Sequence, residues 1–192
     1  MDSGERTLQH RYDTVERADR FYDQQVIDRL NPRMCEFLAR QEMMFVATAN
    51  RAGDCDSTFR AGPPGFVHVL DEHTVAWPEY RGNGVHASLG NITENPHVGL
   101  LFIDFVRDVI GLHVNGEAEI VPAEALRDLD GETVPGRRPE RWVRVRVDEA
   151  YIHCGKHIPR LAPRERDRAW GTDDVRRKGG DYFGVQTDRC EA

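Results

Sequence analysis

Hydrophobic residues in this chain fall mostly in short runs, alternating or continuous, separated by turn-forming residues. Residues 109–121 give the clearest pattern. Ile110, Leu112, Val114, Ala118 and Ile120 share one face, and His113, Asn115, Glu117 and Glu119 share the other. Period two over that length predicts a strand with one buried side. Residues 142–153 repeat the pattern, with Val143, Val145 and Val147 opposite Arg144 and Arg146. Residues 97–105 are the most apolar run and are expected to lie centrally in a sheet. Residues 43–49 (MMFVATA) and 55–60 flank the turn NRAGD and predict a hairpin. Residues 66–70 and 74–77 predict another around Asp71-Glu72-His73, with Pro78 ending its second strand.

Helical spacing is confined to a few places. Val15, Ala18, Phe21, Tyr22 and Val26 fall near the i, i+3, i+4 rhythm. Asn31 is a good N-cap before Pro32, with Met34, Phe37 and Leu38 as the apolar stripe. A third helix is expected over 86–94, with Leu89 and Ile92 inward and Asn95-Pro96 as its stop. A short fourth is expected over 122–129. Residues 1–13 are polar and expected to be loosely held, and 131–140 read as a loop. Strands joined by short turns, a single helix inserted midway and no βαβ rhythm predict a mainly β (α+β) fold. Its centre is a six- to seven-stranded antiparallel barrel with peripheral helices. The expected organisation is a helical extension (1–41), the barrel (42–155) and a charged segment and tail (156–192).

Composition narrows the function. A net charge of −7 argues against general binding of nucleic acid through phosphate neutralisation. No apolar stretch approaches a membrane span, and the N-terminal MDSGERTLQHRYD is too charged for a secretory signal. The four cysteines form no CxxC pair, so a cytoplasmic protein with reduced thiols is expected. His153, Cys154 and His157 offer H-C-x-x-H spacing, but with no CxxC partner to complete a set, no metal is expected. Ser57 and Ser88 lack the elbow motif of a hydrolase nucleophile. The one local chemistry that stands out precedes the helix over 86–94. Tyr80, Arg81, Gly82, Asn83 and Gly84 place a guanidinium, an amide and two glycines where free backbone N–H groups and the positive end of a helix dipole would meet an anion.

The order of these elements resembles the flavin-binding split β-barrel of the pyridoxamine 5′-phosphate oxidase-like superfamily. The text that carries the resemblance is FVATANRAGDCDSTFRAGPPGFVHVLDEHTVAWPEYRGNGVHASLGNITENPHVGLLFI, followed by LHVNGEAEIV. It spans roughly residues 40–155. The resemblance implies a homodimer with flavin mononucleotide (FMN) at the subunit interface and a small-molecule redox substrate. It also implies that Arg81, Asn83 and Ser88 hold the flavin phosphate. Gly65, Phe66, Val67, Trp77 and Pro78 would line the ribityl chain and ring, Arg60 would reach the same pocket, and Lys156 would approach the flavin of the neighbouring subunit.

The chain departs from authentic pyridoxamine phosphate oxidases at the start of the inserted helix. Ala87 and Ser88 stand where those enzymes carry an Arg-Lys pair. Gly65 and His68 stand where basic residues bound their third strand. Pyridoxamine phosphate is therefore not the expected substrate. Within the resemblance the alternatives are a deazaflavin-dependent reductase, or a flavin- or haem-binding carrier or sensor with His113 or His157 on the iron. A split barrel that has lost its cofactor is the third.

Overall fold

The computed structural model describes residues 3–129, 138–164, 179–186 and 189. Its centre is one antiparallel sheet of eight strands. In chain order the elements are α1 (Gly4–Arg11), α2 (Val15–Gln25), β1 (Val26–Ile27), α3 (Pro32–Leu38), β2 (Met43–Ala49), β3 (Cys55–Ala61), β4 (His68–Asp71) and β5 (Thr74–Glu79). Then follow α4 (Ala87–Glu94), β6 (His97–Asp104), β7 (Ile110–Pro122), a 3₁₀ segment (Ala123–Leu129) and β8 (Arg141–His153). The strands run β3-β2-β6-β7-β8-β5-β4, and the two-residue β1 adds to β8. This is the expected α+β split barrel, with one strand more than sequence patterning predicts because two residues are too few to show a period.

The buried faces form one large core and a smaller cluster of Ala76, Val121 and Trp142. Leu100, Phe102, Val114, Val143 and Val145 are fully buried in the larger core. Leu38 of α3 and Leu89 and Ile92 of α4 close it from outside. Asn31 caps α3 by accepting from the Met34 N–H at 3.0 Å. Residues 97–105 lie inside the sheet as expected, with β6 paired on both sides. Midway along the β7–β8 ladder the register slips. Asn115 pairs with Glu149 but Gly116 pairs with Val147, so Asp148 is the extra residue of a bulge. Gly116 is obligatory there, because a Cβ would run into the Arg146 carbonyl oxygen.

Two expectations need correction. Residues 4–11 are helical rather than loose. Their order comes from polar bonds to α2, which hydropathy does not register: Arg6 pairs with Asp19 at 2.6 Å, and the Tyr22 hydroxyl donates to Glu5 at 2.8 Å. Pro78 does not end β5. The strand continues to Glu79, paired with β8 through Trp142 and Arg141. β4 has already stopped opposite Ala76, so β5 has only one neighbour here and tolerates the missing N–H. The loop expected over 131–140 falls largely outside the described residues, as does most of the tail.

Candidate functional site

Alternation along β3 sends Asp56, Thr58 and Arg60 to one side of the sheet. All three face the space between β3, the end of β5 and the start of α4. Here the chain encloses a cleft of about 570 Å³. Its walls combine apolar surface from Phe66, Pro78, Val85 and Leu89 with polar groups from Asp56, Arg60, Asn83, Ser88 and Arg141.

Most of the polar groups are positioned by a partner. Arg60 donates through Nε to Glu79 at 2.7 Å and through Nη1 to Thr58 at 2.9 Å. The Glu79 side chain is 9% exposed, and the same Oε1 also accepts from the Trp77 indole at 2.8 Å. Burial of that carboxylate is sustained by a charge-assisted bond and a neutral donor. Arg141 stands opposite Glu79 in the β5–β8 register and pairs with Glu140 at 3.0 Å. The Ser88 hydroxyl donates to Asp56 at 2.6 Å, and Asn91 donates to Thr48 at 3.0 Å, which ties α4 down on β2 and β3.

The start of α4 is unusual. His86 occupies the N-cap position with φ +57°, and no side chain caps the first turn. Asn83 instead accepts from the Val85 N–H at 3.0 Å and folds the preceding loop. The first-turn amides therefore keep their capacity to bind an acceptor, beside the cleft.

Of the residues expected at a cofactor site, the cleft brings together Arg60, Phe66, Pro78, Asn83 and Ser88. Arg81 is exposed in the loop and is not part of the lining. Val67 and Trp77 are 2% and 1% exposed and belong to the core. Gly65 is not part of the lining; it has φ +77°, and a Cβ there would stand against the Ala39 carbonyl. Lys156 is exposed on a 3₁₀ turn (Gly155–His157), away from the cleft lining. Among the lining residues that sequence reasoning misses, Asp56, Glu79 and Arg141 are the charged ones. Asp56 reads only as part of a hairpin strand, and Glu79 lies beyond the strand end that Pro78 suggests.

Histidines expected as alternative ligands lie elsewhere. His113 Nε2 is 3.0 Å from His153 Nδ1, and the His113 ring stacks on Tyr151 at 4.7 Å. Burial pushes the His113 imidazole below its ordinary value, and the neighbouring His153 adds to that, while Glu149 opposes it. Cys154 is a free, exposed thiol. Among the described residues, His97, Glu117 and Asp148 bring three possible metal-ligand atoms within 4.8 Å of one another. Arg146 already pairs with both carboxylates, at 3.1 and 2.6 Å. No helix among the described residues is long and apolar enough to cross a membrane.

Three solved structures illustrate the likeness to known proteins. HupZ from Group A Streptococcus is 19% identical with a TM-score of 0.49, and the match covers 69% of this chain and 100% of that one. An FMN-binding protein from Syntrophomonas wolfei is 11% identical at 0.46, covering 76% and 95%. A FAD-binding protein from Mesorhizobium loti is 14% identical at 0.42, covering 67% and 99%. No curated protein sequence matches. The family model of pyridoxamine 5′-phosphate oxidase matches residues 30–154, well over half of the chain and all of the barrel strands except β1. The chain therefore belongs to the pyridoxamine 5′-phosphate oxidase family.

Proposed function

We propose that the cleft beside α4 binds FMN and that the protein is a flavin-dependent oxidoreductase acting on a small molecule other than pyridoxamine phosphate. The observation that carries this reading is the cleft itself. Its volume is in the range of small-molecule sites, and it joins an apolar wall to a guanidinium and an uncapped helix start. A flavin needs both surroundings, since its ring is apolar and planar while its tail is polar and anionic.

The residues present fit such a group with one exception. Phe66, Pro78, Val85 and Leu89 would face the ring system. Asn83, the first-turn amides of α4 and Arg60 would serve the tail. Asp56 is the exception, because a carboxylate beside the helix start opposes a phosphate. When bound, a flavin would supply the hydride and electron transfer. The chain's own part is then to bind, orient and exclude water. Glu79 holds Arg60 in place, and Ser88 fixes Asp56. No nucleophile or general acid–base pair is required of the protein. Ala87 and Ser88 in place of a basic pair support a substrate other than pyridoxamine phosphate.

The active unit in this reading is a homodimer. Its physical support is an exposed aromatic pair on the outer face of the β2–β3 hairpin. Phe45 and Phe59 are directly opposite, 5.6 Å apart, and 38% and 50% exposed. Symmetric pairing would cover them. In such a dimer Lys156 would approach the cleft of the other copy.

The test is identification of the small molecule that co-purifies, with an absorbance spectrum. Flavin bands support the reading. A deazaflavin spectrum replaces the coenzyme, and a Soret band replaces the whole redox proposal.

A further inference from the structure

Among the described residues, four formally charged side chains line the cleft, Asp56, Glu79, Arg60 and Arg141, and three of them have an ionic partner. Arg60 is neutralised by Glu79 and Arg141 by Glu140, so neither guanidinium presents an uncompensated charge. Asp56 is different: it accepts from a neutral hydroxyl, Ser88, at 2.6 Å. Ser88 is the second residue of α4 and is buried. The carboxylate is thereby fixed at the helix start, where the helix dipole favours negative charge. An anionic ligand tail reaching that start meets a negative charge already in place.

From this arrangement, and resting on the reading of the cleft as a flavin site, we infer that Asp56 sets the cleft's specificity by disfavouring a phosphate dianion and accepting hydrogen bonds from a hydroxyl-bearing chain. The site selects its ligand by the ring and the polyol more than by the terminal phosphate. Repulsion between a carboxylate and a phosphate a few ångströms apart at the protein surface is worth about tenfold in affinity or somewhat less. Asp56→Asn removes the charge and keeps an oxygen to accept from Ser88, so the local fold survives.

The experiment is a fluorescence titration of wild type and Asp56→Asn with FMN and with riboflavin. The quantity read is the ratio of the two dissociation constants. A partly unfolded variant weakens both ligands equally and leaves that ratio intact. Wild type is expected to prefer FMN over riboflavin by less than about tenfold, and Asp56→Asn to raise that preference about three- to tenfold. Binding of both flavins with the same ratio in both proteins overturns the role of Asp56 while leaving the flavin site standing. Binding of neither flavin by either protein overturns the flavin reading, and the inference with it.

Discussion

Arg60 and Glu79 are 19 residues apart in sequence, and their side chains meet at 2.7 Å in the wall of the cleft. The carboxylate is the more buried partner, and it also accepts from the core indole of Trp77. It thus links the barrel interior to the cation that faces the cleft. Removing it leaves a half-buried guanidinium and an unpaired indole N–H. Glu79→Ala is expected to lower unfolding free energy by about 2–3 kcal/mol, whereas Glu79→Gln keeps an acceptor for Trp77 and loses less. Urea denaturation of both variants checks this, and equal stability of Glu79→Ala and wild type contradicts it.

Two glycines separate backbone strain from helix propensity. Gly65 has φ +77° and lies against the Ala39 carbonyl, where an added Cβ would stand only 3.0 Å from that oxygen. Gly65→Ala is expected to destabilise by about 1–2 kcal/mol. Gly90 is inside α4 with open space around it. Gly90→Ala should stabilise by about 0.5–1 kcal/mol. Thermal melts of the pair should move in opposite directions.

The His113 imidazole is held below its ordinary value, first by burial and then by the proximity of His153. The folded state therefore takes up this proton less readily than the unfolded chain. The stability this provides is complete above the ordinary imidazole range, about pH 6.5. It is lost progressively as pH falls from there toward the folded-state value. Melting temperature should drop on acidification from about pH 7.5 to about 5.5, and His113→Gln should flatten that slope. An unchanged slope in the variant excludes His113 as its source.

The exposed Phe45–Phe59 pair predicts an assembly state. Sedimentation velocity should give the mass of two chains for wild type. Phe59→Glu places a charge on the same patch and should shift the population toward one chain. A wild-type monomer at tens of micromolar contradicts the proposed dimer.

Much of this architecture can be read from residue order. Alternation in β7, and in β8 as far as the bulge at Asp148, assigns both strands and their faces, because a half-buried strand leaves little freedom in period two. Asn31-Pro32 marks the start of α3 through cap chemistry alone. The cleft is only half legible. Its loop and helix start announce themselves through Arg81, Gly82, Asn83 and Gly84, yet the guanidiniums in the wall are Arg60, which only the family resemblance implies, and Arg141, which nothing in the sequence marks. Trp77 is ambiguous for a physical reason. β5 is buried without interruption from Val75 to Glu79, so alternation carries no information about which way the ring points. Asp56 and Glu79 have no local signature at all. Their significance lies in partners 32 and 19 residues away, Ser88 and Arg60.

Whether the cleft beside α4 holds a flavin is tested most directly by mass spectrometry of the small molecule released from gently purified protein, with back-titration of the emptied protein by FMN. Release of FMN and saturable rebinding at one flavin per chain are the expected results. Protein that releases no redox coenzyme, and that leaves FMN fluorescence unchanged up to about a hundred micromolar, a concentration that would reveal even weak binding, would contradict a flavin site.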